Sequence, residues 1–261
     1  MNILDKIIID KKREVEVKKS IIPVSQLEAS VLFNGRTYSM SKLLKNSLSG
    51  IITEHKRRSP SKSIINNKHS VEDVVIGYQN AGASGISVLT DGKYFGGSLD
   101  DLILAKASVN IPLLRKEFII DEYQILEAKA HGADVILLIA AVLSREEIKR
   151  LSEFAQSLAL EVLLEVHNQE ELEKSIMYSL DMIGVNNRNL KTFEVSLDFS
   201  KKLSSLIPDE FVKVSESGIE TVDVIKELQQ FGYQGFLMGE HFMKTENPGL
   251  AAKEFINKTI L

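Results

Sequence analysis

Six short segments put groups able to move protons or hold anions at the end of an apolar run. Residues 51–53 (IIT) lead into EHKRRSPSK, where Glu54 and Lys56 stand two positions apart. Residues 111–114 (IPLL) precede Lys116, and 161–166 (EVLLEV) carry Glu165 near their end. Residues 182–185 (MIGV) precede Asn186 and Arg188. Residues 211–214 (FVKV) run into SESGI and 235–238 (GFLM) into Gly239-Glu240. Two lysines and two carboxylates in one cavity would shift one another's proton affinities, as general acid–base chemistry requires. Ser217, Gly218, Gly239 and Glu240 supply backbone N–H groups of the kind that bind phosphate. All of this depends on a fold that makes neighbours of residues far apart in the chain.

The elements that must do so are legible as alternation. Further β-branched or apolar runs lie at 85–89 and 134–139, giving eight, and amphipathic segments separate them. Many of those segments open on cap signals: Ser70, Ser98, the pairs Ser144/Glu147 and Asn168/Glu171, and Asn247-Pro248. Gly82 and Gly132 supply left-handed C-caps. Eight strands alternating with helices predict an α/β fold, a closed (β/α)8 TIM barrel with an N-terminal helical extension. The chain reads as one domain over 1–261, with residues 1–48 as extra helices capping one barrel end. An open doubly wound sheet is the rival, but no GxGxxG follows the first strands. In a barrel, the C-terminal strand ends converge on one site. That gathers Glu54, Lys56, Thr90, Lys116, Glu165, Asn186, Arg188, Ser215, Glu216, Ser217, Gly218, Gly239 and Glu240. Loops after strands seven and eight often bind phosphate, so a phosphorylated small molecule is the expected partner.

Composition narrows the function classes. With 44 % apolar and 26 % charged residues, the 261-residue chain suits a globular protein with a sizeable core. A net charge of −4 argues against nucleic acid, and no apolar window is long enough to span a membrane. The absence of cysteine excludes disulfides and thiolate chemistry and fits a cytoplasmic protein. His55, His167 and His241 fall near strand ends without the spacing of a metal site, so no metal is expected.

The stretches EHKRRSPSK (54–62), SVLTDGKYFGGS (87–98), LRKEFIIDEYQI (114–125), LLEVHN (163–168), IGVNNRNL (183–190) and SESGI (215–219) together resemble the indole-3-glycerol phosphate synthase family, in family order and over nearly the whole chain. The resemblance implies the fifth step of tryptophan synthesis, without a cofactor. The substrate is 1-(2-carboxyphenylamino)-1-deoxyribulose 5-phosphate; the products are indole-3-glycerol phosphate, carbon dioxide and water. It further implies Lys116 as general acid, Glu165 as general base and Glu54 as a second acidic group. Lys56 would hold the substrate carboxylate, and Asn186 a hydroxyl or a carboxylate. Phe95, Phe118, Leu137 and Leu190 would form the slot for the aromatic ring. Ser59, Ser217, Gly218, Gly239 and the backbone of Glu240 would hold phosphate, with Arg188 and Glu216 also binding substrate.

Lys116 is expected to release its proton more readily through burial beside other cations. Arg57 and Arg58 read as solvated or salt-bridged, and Ser59-Pro60 could start a helix. Ser63, Glu117, His55 and His241 depart from the family's usual residues. Family barrels are often monomeric, so a monomer is expected. Two alternatives remain open. One is another phosphate-binding barrel such as phosphoribosylanthranilate isomerase, which lacks ExKxxSPS; the other is a non-catalytic barrel, which loss of Lys116, Glu165 or Glu54 would favour.

Overall fold

The computed structural model describes residues 3–60, 62–189, 192 and 194–261. Its eight strands are β1 (Ile51–His55), β2 (Gly85–Leu89), β3 (Leu113–Lys116), β4 (Val135–Ile139), β5 (Glu161–Val166), β6 (Met182–Asn186), β7 (Val212–Glu216) and β8 (Gly235–Met238). All pair in parallel with their sequence neighbours, and β8 closes on β1 through Ile51–Phe236, Ile52–Leu237 and Thr53–Met238. The eight-stranded barrel expected from alternation is the fold. One strand is displaced: the run at 111–114 becomes β3 at Leu113–Lys116. Pro112 has no N–H to donate to a ladder, and serves only through its carbonyl, which accepts from Ile86 N at 2.9 Å.

Period-two alternation sorts each strand into two environments. Ile52, Leu114, Val135, Leu137, Ile139, Leu163, Met182, Val212, Val214 and Leu237 fill the barrel interior. Val88, Leu113, Ile136, Leu138, Val162, Leu164, Ile183 and Val185 face the helix layer. The cap signals are real: Ser70, Ser98, Ser144, Asn168 and Asn247 each accept an N–H three residues on. Ser144 and Glu147 form the full reciprocal box, whereas Glu171 turns back to the His167 N–H instead. Gly82 and Gly132 adopt φ of 87° and 85°.

The N-terminal extension does more than cap one end. It forms α1 (Ile3–Ile21), α2 (Val24–Glu28) and α3 (Met40–Asn46). Met40 and Leu44 of α3 join the interior cluster and plug the barrel from below. The start of α3 is held by Glu161, which accepts from the Met40 and Ser41 N–H groups at 2.8 and 2.9 Å. α1 lies at the opposite end, where its buried stripe is Ile7, Lys11 and Val15. A lysine inside an apolar stripe needs anions, and Lys11 meets Asp91 at 3.0 Å, Glu117 at 3.1 Å and Glu14 at 2.8 Å. Burial works against its charge, yet those carboxylates leave its proton affinity raised.

Removing Lys11 takes the ammonium from buried Asp91 and leaves Glu117 only the Arg115 cation at 3.7 Å, so Lys11→Met should lower unfolding free energy by about 3–5 kcal/mol. Lys19→Met, which breaks the exposed 2.6 Å pair with Asp121, should lower it by less than about 1 kcal/mol. Urea denaturation of the two variants checks the contrast; equal losses would show that Lys11 does not anchor α1.

Candidate active site

Inward parity carries the chemistry up the barrel. Above the apolar interior, the next inward positions are Glu54 on β1, Lys116 on β3, Glu165 on β5, Asn186 on β6 and Glu216 on β7. They open into a 340 Å³ cavity at the C-terminal strand ends. Lys56, Ser59, Phe95, Phe118, Leu137, Arg188, Ser217, Gly218, Gly239 and Glu240 also line it. Every residue given a catalytic or substrate-binding role from the sequence therefore borders this cavity, apart from Leu190, which lies outside the described residues. Two strand-end residues do not join them. Thr90 and Ser215 sit one position off the inward parity: Thr90 bonds Arg115 and Glu117, and Ser215 bonds Asn187 and Ser200.

Lys116 is the electrostatic centre. Its Nζ is 2.7 Å from Glu216 Oε2 and 3.0 Å from Glu165 Oε2. The expectation of neighbouring cations is overturned. Desolvation favours neutral lysine, but Glu216, Glu165 and Glu54 outweigh it and hold the proton more tightly than usual. Nor does Lys116 pair with Glu117, which faces outward to Lys11. Around this ammonium the carboxylates separate. Burial disfavours charge on Glu165, but Lys116, His167 and a hydrogen bond from Asn186 bring it down to about 2. Burial dominates for Glu216, and Glu165 and Glu54 add to it, so Glu216 is pushed up to about 7. Its buried Oε1 has no hydrogen-bond partner, so a negative charge there is stabilised only through Lys116 on Oε2. Glu54 is lowered despite burial, by Lys56 and Lys116; Lys56 Nζ is 2.6 Å from Oε1 and Ser87 Oγ 3.1 Å from Oε2.

The opposite side of the cavity is built of backbone. Ser217 and Gly218 are successive left-handed residues, φ 67° and 76°. A Cβ at 218 would come 2.5 Å from Val195 Cγ1, so only glycine fits. A Cβ at Gly239 would strike Glu54 Oε1 at 2.5 Å. Phe95 and Phe118 stand 6.0 Å apart, tilted by 40°, as two aromatic walls, and Phe118 packs on the cluster containing Leu137.

The polar run after β1 divides as its parity suggests. Glu54 and Lys56 face the cavity. Arg57 pairs with Asp101 through two bonds of 2.5 and 2.8 Å, Arg58 donates to the Gly92 and Lys93 carbonyls, and Lys62 pairs with Glu240. Ser59 starts no helix; it exchanges backbone bonds with Lys62 at 2.8 and 3.0 Å. Sequence reasoning missed Ile3, Leu4 and Ile7 of α1, which also line the cavity. The lysine within their stripe was the available signal. It missed His167 as well, whose Nε2 is 3.4 Å from Glu165 Oε1.

No group of three metal-ligating side chains occurs among the described residues. The barrel alone is widely shared: the crystal structure of KGPDC from Streptococcus mutans matches with a TM-score of 0.62 at 13 % identity, over 82 % of this chain and 98 % of that one. Sequence similarity is far narrower. An indole-3-glycerol phosphate synthase from Bacteroides thetaiotaomicron is 48 % identical over 98 % of both chains, and one from Aliarcobacter butzleri 43 % identical over 93 % of this chain and 94 % of its own. The family model described as indole-3-glycerol phosphate synthase matches residues 4–255. Match length and identity leave one assignment: the chain belongs to the indole-3-glycerol phosphate synthase family, carboxy-lyases that close the indole ring in tryptophan biosynthesis.

Proposed function

We propose a division of labour for this reaction in which Lys116 is the general acid, Glu165 the general base, and Glu54 and Lys56 assist. The ring carbon that carries the substrate carboxylate attacks the ketone carbon, and Lys116 donates a proton to the ketone oxygen. An alkoxide is far more basic than an amine, so a lysine with raised proton affinity still serves as donor. Carbon dioxide then leaves and returns its electron pair to the ring. The new hydroxyl then takes a proton from Lys56 and leaves as water, pushed out by the nitrogen, and Glu165 removes a proton from the adjacent CH2 carbon, which makes the five-membered ring aromatic.

The single observation that carries this reading is Lys116 Nζ lying 2.7 and 3.0 Å from Glu216 and Glu165 in one cavity. Acid and base are then within reach of adjacent substrate atoms. Asn186, hydrogen-bonded to Glu165, keeps the base oriented, and Glu216 and Arg188 bind the polyol. Phe95, Phe118 and Leu137 enclose the ring, with Lys56 on its carboxylate; Leu190, outside the described residues, joins the slot on the family resemblance alone. Ser59, Ser217, Gly218, Gly239 and the Glu240 N–H take the phosphate. The proposal also takes the chain to act as a single-domain monomer in the cytoplasm, since one chain supplies every group named and no cysteine needs an oxidising compartment.

Purified protein should convert the carboxyphenylamino substrate to a fluorescent indole product in buffer containing a chelator; folded protein without turnover would overturn the reading. Lys116→Ala should lower kcat by about 10²–10⁴-fold with a smaller change in KM, checked by steady-state kinetics. Gly184→Ala tests the placement of Glu216, because the new Cβ would lie 2.5 Å from Glu216 Oε1 and 3.2 Å from Leu163 Cδ1. It should unfold cooperatively yet lose about 10²-fold in kcat/KM.

A further inference from the structure

We propose that His167 is a proton-relay and positioning residue: it takes from Glu165 the proton that Glu165 removes from the substrate, and Glu171 holds its ring for that task. The inference rests on the reading of Glu165 as base. His167 follows β5, one residue beyond Val166 and two beyond Glu165, so it shares the inward parity of Glu165. Its Nδ1 is 3.1 Å from Glu171 Oε2, and the same oxygen accepts the His167 backbone N–H at 2.8 Å. Glu171 is in turn fixed by Asn168, whose Nδ2 donates to Oε1 at 2.9 Å. A carboxylate accepts hydrogen bonds, so Nδ1 carries the hydrogen and Nε2 is the site that gains a proton.

That Nε2 is buried and has no hydrogen-bond partner, yet it stands 3.4 Å from Glu165 Oε1. The other oxygen of Glu165 is held by Lys116 at 3.0 Å. When the ketone oxygen draws Lys116 away, Glu165 is left facing His167, and a small rotation closes the gap. Protons then balance along one line. The substrate C–H proton goes to the Glu165 carboxylate and from there to the Nε2 lone pair, while the imidazolium passes its Nδ1 proton to Glu171, which is 16 % exposed and releases it to solvent. The Glu171 carboxylate stabilises the imidazolium and Glu165 is restored as a carboxylate. A helix cap alone would not need the ring: the Glu171 carboxylate already receives the His167 backbone N–H.

The charged groups facing His167 are Glu165 on β5, Glu171 on the helix Gln169–Ser175 and Glu216 on β7. Burial lowers the imidazole's proton affinity, but Glu171, Glu165 and Glu216 outweigh it and leave it raised. The relay needs neutral His167, so kcat falls as pH drops through its titration. Glu171→Gln removes a stabiliser of the imidazolium without touching Lys116 or Glu216, and should move the acid limb of kcat to lower pH by at least about half a unit, half the about one-unit scatter usual for His in folded proteins. Nitrogen-15 shifts of the His167 ring should move with it. His167→Asn should abolish that limb and lower kcat about tenfold, at the low end of proton-transfer effects, with KM changed less than about twofold.

An unchanged limb in Glu171→Gln, or a His167 ring that does not titrate across it, overturns the relay. Glu165→Gln separates the two ideas. An inactive Glu165→Gln beside an unchanged Glu171→Gln limb ends the relay alone, and a fully active Glu165→Gln ends the base assignment and the relay with it. Should His167→Asn fail to fold, Glu171→Gln and the ring shifts decide.

Discussion

A desolvated ammonium sets the terms for everything around it. Lys116 is held inside the barrel mouth, where an unpaired cation would be destabilising by several kcal/mol. Its answer is three carboxylates, Glu216, Glu165 and Glu54, which more than offset the desolvation. Lys56 adds a second cation on Glu54. Two ammonium groups facing three carboxylates leave one negative charge too many, and the raised proton affinity of Glu216 disposes of it near neutral pH. The resting cluster is thus close to neutral, although Glu216 Oε1 is left without a partner.

Strand alternation turns this cluster into a two-sided device. On β3, Arg115 and Glu117 face outward while Lys116 faces in. Arg115 is tied to Thr90, Gln124 and Glu127 in the helix layer, and Glu117 to Thr90 and Lys11. The strand that presents Lys116 is therefore gripped from behind on both flanks. Through Lys11 the same grip docks α1, whose Ile3, Leu4 and Ile7 line the cavity. Below, Met40 and Leu44 of α3 complete the interior. The extension thus touches the barrel at both ends, and the electrostatics of the outer layer fix the inner one.

The barrel and its strand count were legible in the sequence because apolar runs with period-two parity specify both where strands lie and which way residues point; the charged lining followed from the strand ends, the aromatic walls only from the family resemblance, and about half of the lining, such as Ile3, Ile139 and Leu237, was not named. The failures are instructive. Thr90 and Ser215 were gathered as strand-end residues although Leu89 and Glu216 beside them hold the inward positions; parity, applied strictly, excludes both. The third strand shifted because apolarity marks 111–114 while Pro112 cannot donate to a ladder. The charge environment of Lys116 was misjudged, since strand ends tell which groups converge but not which touch. Lys116 and Lys56 are kept apart by Glu54, which pairs with Lys56 at 2.6 Å. The place of α1 was hidden for a different reason: an amphipathic helix announces a buried face without naming the barrel end that buries it.

One apparent contradiction at the mouth resolves on the same electrostatic grounds. Glu240 brings a carboxylate to the side of the cavity proposed for phosphate, where two anions at hydrogen-bond range would repel. Its carboxylate is engaged by Lys62 and held ionised, burial being outweighed by Lys62 and then by Lys56 and Arg188. The pair spans from the loop after β1 to the end of β8, the seam where the barrel closes. With its charge compensated from outside, Glu240 can offer its N–H to an incoming anion while its side chain ties the EHKRRSPSK loop over the same spot. The charges in that loop therefore do three separate things: Glu54 and Lys56 face the cavity, Arg57 and Arg58 bind the loop to the outer layer, and Lys62 closes the seam.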